Sequence, residues 1–138
     1  MQTHRSRCPV NLALEIFGDK WTLLIIRDIM FGQKKSFNEL LHSDEKIATN
    51  ILADRLSRLE KEGILSKTND PDHQQKFIYR LTGKGIDLLP ILVEIGNWSI
   101  RHRPVDLKKH QHAVQLVNGG KRLQTKIRKE LAEQHLHA

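Results

Sequence analysis

The chain has 138 residues, 38% of them hydrophobic, and its 23 Lys and Arg outweigh 16 Asp and Glu to leave a formal net charge of +7. This allows one domain with a real core, excludes wholesale disorder, and points to a polyanionic partner; no apolar run approaches the ~18 residues a membrane helix needs. A lone cysteine, Cys8, excludes an intrachain disulfide and a cysteine-based zinc site, and the opening residues lack the apolar stretch of a secretory signal, so the expected location is the cytoplasm.

Helix signals dominate as far as Gly63. Pro9 suits the first position of a helix that runs through Leu14 to Phe17 and closes at Gly18. Asp19 can cap a second helix, Lys20 to Met30, which is apolar on almost every side and should place Trp21, Leu24, Ile25 and Ile29 in the core. Ser36-Phe37-Asn38-Glu39 has the S-x-x-E form of a capping box and opens a short helix carrying Phe37, Leu40 and Leu41 inward. His42 to Lys46 makes a polar turn. The next helix, about Ala48 to Glu62, has Leu52, Leu56 and Leu59 on one stripe and ends at Gly63.

The pattern then changes to strands. Ile64–Thr68 and Lys76–Leu81 read as a hairpin around the turn residues Asn69-Asp70-Pro71-Asp72. Thr82 caps a long helix predicted to run to about Arg101, with a kink at Pro90. Residues 105–117 are ambiguous and Gly119-Gly120 breaks the chain. Leu123, Ile127 and Leu131 then predict an amphipathic helix over Lys121 to Gln134.

Helix, helix, capped short helix, turn, helix, hairpin, helix is the order of a winged helix-turn-helix. The expected class is therefore mainly α with a small β-hairpin (α+β), with extra dimerisation helices. The division is a DNA-binding domain over 1–104 and a C-terminal helical extension over 105–138. At about 100° per residue, burying the leucine stripe turns Asn50, Asp54, Ser57 and Lys61 outward with Arg58 at the edge. Asn50 and Arg58 have groups that can read base edges, Lys61 can hold a phosphate, and Thr49 can do either. Arg55 joins them as a candidate, with Asp54 orienting Arg55 or Arg58. His73, Lys76 and Arg80 make the hairpin basic, and Lys35 precedes the short helix.

Two other readings stay open at this level: a solvated face on an ordinary helical domain, and a basic RNA-binding or protein-docking module without operator specificity. Aromatics make up only 5% of the chain, few for a reader of single strands. The sequence has no G-x-S-x-G, H-E-x-x-H, phosphate loop or dinucleotide turn, so neither an enzyme nor a bound cofactor is expected. His110 and His112, like His135 and His137, are spaced two apart and would diverge on a helix, so no metal site is expected.

Cys8-Pro9, Gly18, Lys20-Trp21, Gly32, Phe37, Glu39-Leu40, the run Ile47 to Ala53, Arg55-Leu56, Leu59, Gly63-Ile64-Leu65, Tyr79, Leu81-Thr82, Gly85, Pro90 and Trp98 carry a resemblance over residues 5–104. Through them the chain resembles the HxlR-type transcriptional regulators, relatives of the MarR group. The resemblance implies a homodimer on a palindromic operator in double-stranded DNA. Its interface would be built from the first helix, the helix after the wing and C-terminal segments, with Val10, Leu14, Leu89, Val93, Trp98, Leu123 and Ile127 as candidates. In some relatives a cysteine matching Cys8 senses oxidants or electrophiles, which implies a redox or small-molecule effector. A helix N-terminus with Arg5 and Arg7 nearby would favour its thiolate; the alternative is an inert packing cysteine. Two positions depart from the family's pattern. Ser36 precedes Phe37 where Arg is frequent, leaving Lys34 or Lys35 to substitute, and Asp70-Pro71-Asp72 stands at the wing tip where paired prolines are frequent.

Overall fold

The computed structural model describes residues 3–136. Its elements are α1 (Pro9–Phe17), α2 (Thr22–Met30), α3 (Phe37–Leu41), α4 (Thr49–Lys61), β1 (Leu65–Asn69), β2 (Phe77–Leu81), α5 (Gly83–Ile86), α6 (Leu89–His102), α7 (Gln111–Asn118) and α8 (Gly120–Leu136).

Local chemistry sets most of these boundaries. Pro9 opens α1, where its missing N–H costs nothing. α2 begins at Thr22, two residues later than expected, yet Asp19 still caps it: its carboxylate accepts from the Trp21 and Thr22 backbone N–H groups and from the Thr22 hydroxyl. The capping box at α3 is reciprocal, Glu39 N–H donating to Ser36 Oγ and Ser36 N–H to Glu39 Oε1. α4 closes on Gly63 at φ +74°, where the Gly63 and Ile64 N–H groups bond back to the Glu60 and Leu59 carbonyls. Glycine makes that left-handed step without strain, and the step turns the chain from α4 straight into β1.

β1 and β2 pair antiparallel with Leu65 opposite Leu81 and Asn69 opposite Phe77. Tyr79 N–H donates to the Lys35 carbonyl, so the segment before α3 lies along the free edge of β2. The long helix expected after Thr82 is two helices. Pro90 has no N–H to return to Ile86 and its ring crowds that carbonyl, so α5 ends at Ile86 and α6 restarts with Pro90 in its first turn.

The core centres on Ile25, Ile26, Ile29 and Met30 of α2, packed by Leu40, by Leu52, Leu56 and Leu59 of α4, and by Ile64, Leu65 and Leu81 at the base of the hairpin. Leu116 of α7 and Leu131 of α8 belong to the same cluster. The two segments separated at residue 104 thus share one core. α8 is also tied by hydrogen bond: His135 Nδ1 accepts from Leu81 N–H at 3.0 Å. Of the expected α2 core residues, Ile25 and Ile29 are buried, whereas Trp21 and Leu24 are half-buried.

Candidate nucleic-acid interface

α4 is held from beneath and from behind. Its leucines Leu52, Leu56 and Leu59 are 0–1% exposed, which fixes its rotation about its axis. Behind it, Arg55 Nε donates to Asp19 Oδ2 at 3.0 Å and Arg55 Nη1 to Asp54 Oδ2 at 2.6 Å. Burial alone would raise the Asp19 carboxyl. Hydrogen bonds from Thr22, Trp21 and Arg55 outweigh it and hold the group at about 2, so it is ionised whenever the protein is folded near neutrality. Arg55 is therefore a correction to the expected DNA contacts: half-buried between two carboxylates, it braces α4 against the start of α2. Asp54 also lies 3.7 Å from Arg58 Nη1, so it orients both arginines.

The turn before α4 is braced too. Arg27 of α2 gives two hydrogen bonds to Glu45, at 2.8 and 2.6 Å, and two to the buried carboxylate of Asp28. Pairing with Arg27 lowers the Glu45 carboxyl. Lys34 donates to the His42 carbonyl at 2.9 Å and lies 3.8 Å from Asp28. Of the two lysines that could substitute before Phe37, Lys34 is spent within the scaffold and Lys35 is exposed.

Outward on α4 are Thr49, Asn50, Asp54, Ser57, Arg58 and Lys61, all exposed. Arg58 and Lys61 line a cleft with Glu15 and Ile16 of α1, on one flank of the helix. On the wing His73 and Lys76 are exposed. Lys76 and Lys35 line one cleft of about 600 Å³ between the start of α3 and the wing, together with Asn38 and Gln75. The acid at the wing tip is used locally, since Asp72 N–H donates to Asp70 Oδ1 and Asp70 N–H to the Lys76 carbonyl. The sequence reading missed Asn38 and Gln75, which only the fold brings beside the lysines. It also missed Lys67, whose ammonium sits 4.1 Å from the Phe77 ring centre across the hairpin.

A second surface is apolar. Val10 and Leu14 of α1 and Trp98 of α6 are exposed. Leu89 and Val93 are corrections, at 1% and 5% exposure, because they pack into the chain's own core. On its other side α6 exposes Ile91 and Ile95, which form one stripe with Trp98 at i, i+4 and i+7. Leu123 and Ile127 are half-buried against the core.

Cys8 is exposed at the cap position of α1. The N–H groups of Asn11 and then Val10 hold its thiol below the ordinary value. These amides belong to the helix N-terminus expected to favour the thiolate, while Arg5 donates to Asn11 Oδ1 at 2.9 Å.

A capped helix, a braced turn, an anchored second helix and a β-hairpin docked beside them define a winged helix-turn-helix protein. The chain belongs to the HxlR-like helix-turn-helix family, whose model matches residues 16–106, and is by that membership a transcriptional regulator of helix-turn-helix type. Cys8, α7 and α8 lie outside the matched span. The chain is 29% identical over 86 residues to the uncharacterized HTH-type transcriptional regulator sll1512 of Synechocystis, covering 62% of this chain and 63% of that protein. It is 34% identical over 93 residues to the HTH-type transcriptional regulator YodB of Bacillus subtilis, covering 67% and 82%. YodB solved with bound quinone superposes with a TM-score of 0.56 at 29% identity, over 68% of this chain and 99% of that one. The redox regulator HypR in its oxidized form gives a TM-score of 0.59 at 34% identity, over 71% and 100%. Among the described residues no helix is long and apolar enough to cross a membrane.

Proposed function

We propose that the protein regulates transcription by binding duplex DNA as a homodimer, reading each half of a two-fold-symmetric operator with α4. One observation carries the reading: α4 is sunk to its leucines and braced by Arg55, yet leaves Thr49, Asn50, Ser57 and Lys61 free on the face a major groove would receive. Lys35 and Lys76 flank that face and suit phosphates of the same duplex. The stripe Ile91–Ile95–Trp98 with Val10 and Leu14 supplies apolar surface for a two-fold contact. The C-terminal segment acts mainly by supporting the fold, Leu123 and Ile127 packing against the core and His135 reaching β2.

The test is selection of bound duplexes from a random pool, followed by titration. Asn50→Ala is expected to cost about 1–3 kcal/mol on the selected site and nothing on random duplex. Lys61→Gln should weaken both alike and flatten the salt dependence by about one phosphate contact. Equal losses on both duplexes for Asn50→Ala, or a preference for structured RNA, would replace base reading with a non-specific or RNA-binding role.

Cys8 is the proposed sensor. An exposed thiol favoured as thiolate at a helix N-terminus suits addition to a quinone or oxidation, and YodB with bound quinone and the oxidized redox regulator HypR are structural relatives. Having no second cysteine in the chain, an oxidised Cys8 would pair with a partner's Cys8 or a small thiol. Diamide or a benzoquinone should change DNA affinity, and Cys8→Ser should abolish the response. A variant that still responds removes Cys8 from the mechanism.

A further inference from the structure

A cleft of about 320 Å³ opens where the segment before α3, strand β2 and the end of α8 meet. Lys34 and Lys35 of that segment, Arg80 of β2 and His135 of α8 line it beside Ile29 and Tyr79. Among the described residues no carboxylate lines it. The cations are not equally engaged. Lys34 is committed to the His42 carbonyl and to Asp28. Arg80 is half-buried, yet among the described residues no carboxylate pairs with it, and Nη1 donates only to Thr68 Oγ1 at 3.2 Å. A guanidinium partly withdrawn from water ordinarily meets a carboxylate or a phosphate. His135 adds a directed donor. Leu81 N–H occupies Nδ1, so the proton of the neutral ring sits on Nε2.

Gln33 lines the same cleft with its backbone at φ +56°. It lies just past α2, where Lys34 N–H returns to the Asp28 carbonyl at 3.1 Å, and glycine commonly fills a left-handed position of this kind. The Gln33 side chain makes no hydrogen bond among the described residues. A side chain kept at conformational cost, without a partner in the fold and on a cleft of donors, points to a contact with something outside the chain.

We propose that this cleft binds the phosphate group of a small phosphate monoester, held by Arg80, Lys35, His135 and Gln33. The donors come from three separate elements. A tetrahedral dianion with three terminal oxygens can accept from all of them, whereas a planar carboxylate presents two. The volume is near the lower end for small-molecule sites and leaves room for a compact body beside Ile29 and Tyr79. α8 lies beyond the residues the family model matches, so one wall belongs to this chain's own C-terminal segment. Lys35 also lines the cleft beside the wing. A bound monoester would therefore take from the duplex one of its proposed phosphate contacts. That coupling rests on the DNA-binding reading, whereas monoester binding does not.

The experiment titrates the full chain by calorimetry without DNA, using phenyl phosphate and benzoate at about pH 7.5, where the monoester is a dianion. One phenyl phosphate per chain is expected, bound about tenfold tighter than benzoate, as added charge-assisted hydrogen bonds would give. Arg80→Gln should weaken it about tenfold or more. Lys126→Gln, which removes the same charge from the exposed face of α8, should leave it unchanged. Gln33→Gly should weaken it without lowering the melting temperature, because glycine suits the left-handed backbone. No binding, equal affinity for the two probes, equal losses in Arg80→Gln and Lys126→Gln, or undiminished binding in Gln33→Gly overturns the proposal. So does a chain that ignores phenyl phosphate while its Arg80→Gln variant loses duplex affinity, which would assign these donors to the DNA backbone. A separate operator titration with saturating phenyl phosphate, at fixed ionic strength, tests the coupling. If the monoester binds but operator affinity is unchanged, the ligand site stands and its link to the duplex through Lys35 falls.

Discussion

α4 and α6 are nearly the same length, and each buries one stripe of aliphatic side chains in the same core, yet their outer faces are finished in opposite ways. α4 presents Asn50, Asp54, Ser57 and Lys61, which water satisfies. α6 presents Ile91, Ile95 and Trp98, the last 59% exposed, which water does not. The bracing differs too. Arg55 and Asp19 clamp α4 so that its polar edge holds one orientation, as recognition of a rigid duplex requires. α6 is held by Leu89 and Val93 alone among its fully buried residues. One helix is complete within a single chain and free to meet a polar partner; the other leaves exposed apolar area of the kind that marks an interaction surface.

The sharpest way to break this contrast is to give α6 an α4-like exterior. Ile91→Glu with Trp98→Glu places charge on the exposed stripe without touching Leu89 or Val93, so the fold should survive with its melting temperature nearly unchanged. The expected outcome is a monomer by sedimentation and roughly 10²-fold or more weaker operator binding, the avidity lost when two half-site contacts are no longer joined. A double variant that remains dimeric would move the proposed interface away from α6.

Much of this contrast was legible in the sequence wherever the determinants are local. The capping box at Ser36 and Glu39, the leucine spacing of α4 and the closing Gly63 depend on residues a few positions apart, and each element formed where its pattern lay. Determinants that are distant in the chain were not legible. Arg55 read as a DNA contact because its partner Asp19 lies 36 residues away, and only the packing of α2 on α4 brings them to 3.0 Å. Leu89 and Val93 read as interface because the helix after the wing carries more apolar side chains than a small core would obviously bury. Only the packing shows that these two face inward while Ile91 and Ile95 face outward. The 105–138 segment read as an appendage because nothing local reports that Leu116 and Leu131 complete the core or that His135 reaches β2.

Asp19 permits a smaller test, on the bracing side of the comparison. Asp19→Ala removes the acceptor for two amides at the start of α2 and the partner of Arg55, at an expected cost of about 1–2 kcal/mol, the range of a lost helix cap. Its folded-state value, about 2, lies below the ordinary aspartate value of ~4. Its contribution is therefore complete above pH ~4 and fades as pH falls through 2. Denaturant melts of wild type and Asp19→Ala should converge between pH 4 and pH 2. A constant gap across that range would mean the carboxylate does not stabilise the fold through its charge. On operator DNA the same variant should bind more weakly than its residual stability explains, because α4 loses its brace.

The smallest effect belongs to the tie between α8 and the wing. Burial first and the nearby Arg80 second lower the pKa of His135, and its neutral ring accepts the Leu81 N–H through Nδ1. The groups facing it from the neighbouring elements are Arg80 and Tyr79 of β2 and Lys34 and Lys35 before α3, with Gln134 beside it on α8; none is an acid that could stabilise an imidazolium. A base whose folded value is depressed favours the fold in its neutral form. The tie is therefore intact above the unfolded histidine value of ~6.5 and is lost as pH falls below it through the lower folded value. Wild type should lose about 0.5–1 kcal/mol relative to His135→Gln between pH 8 and pH 5, the worth of one hydrogen bond, since glutamine offers an acceptor that does not titrate. Hydrogen exchange at the Leu81 amide localises the effect: it should accelerate below pH 6 in wild type more than in the variant, after correction for the intrinsic rate. Parallel profiles would show that α8 props the wing through Leu131 and its apolar neighbours alone, and that its histidine is incidental to the support.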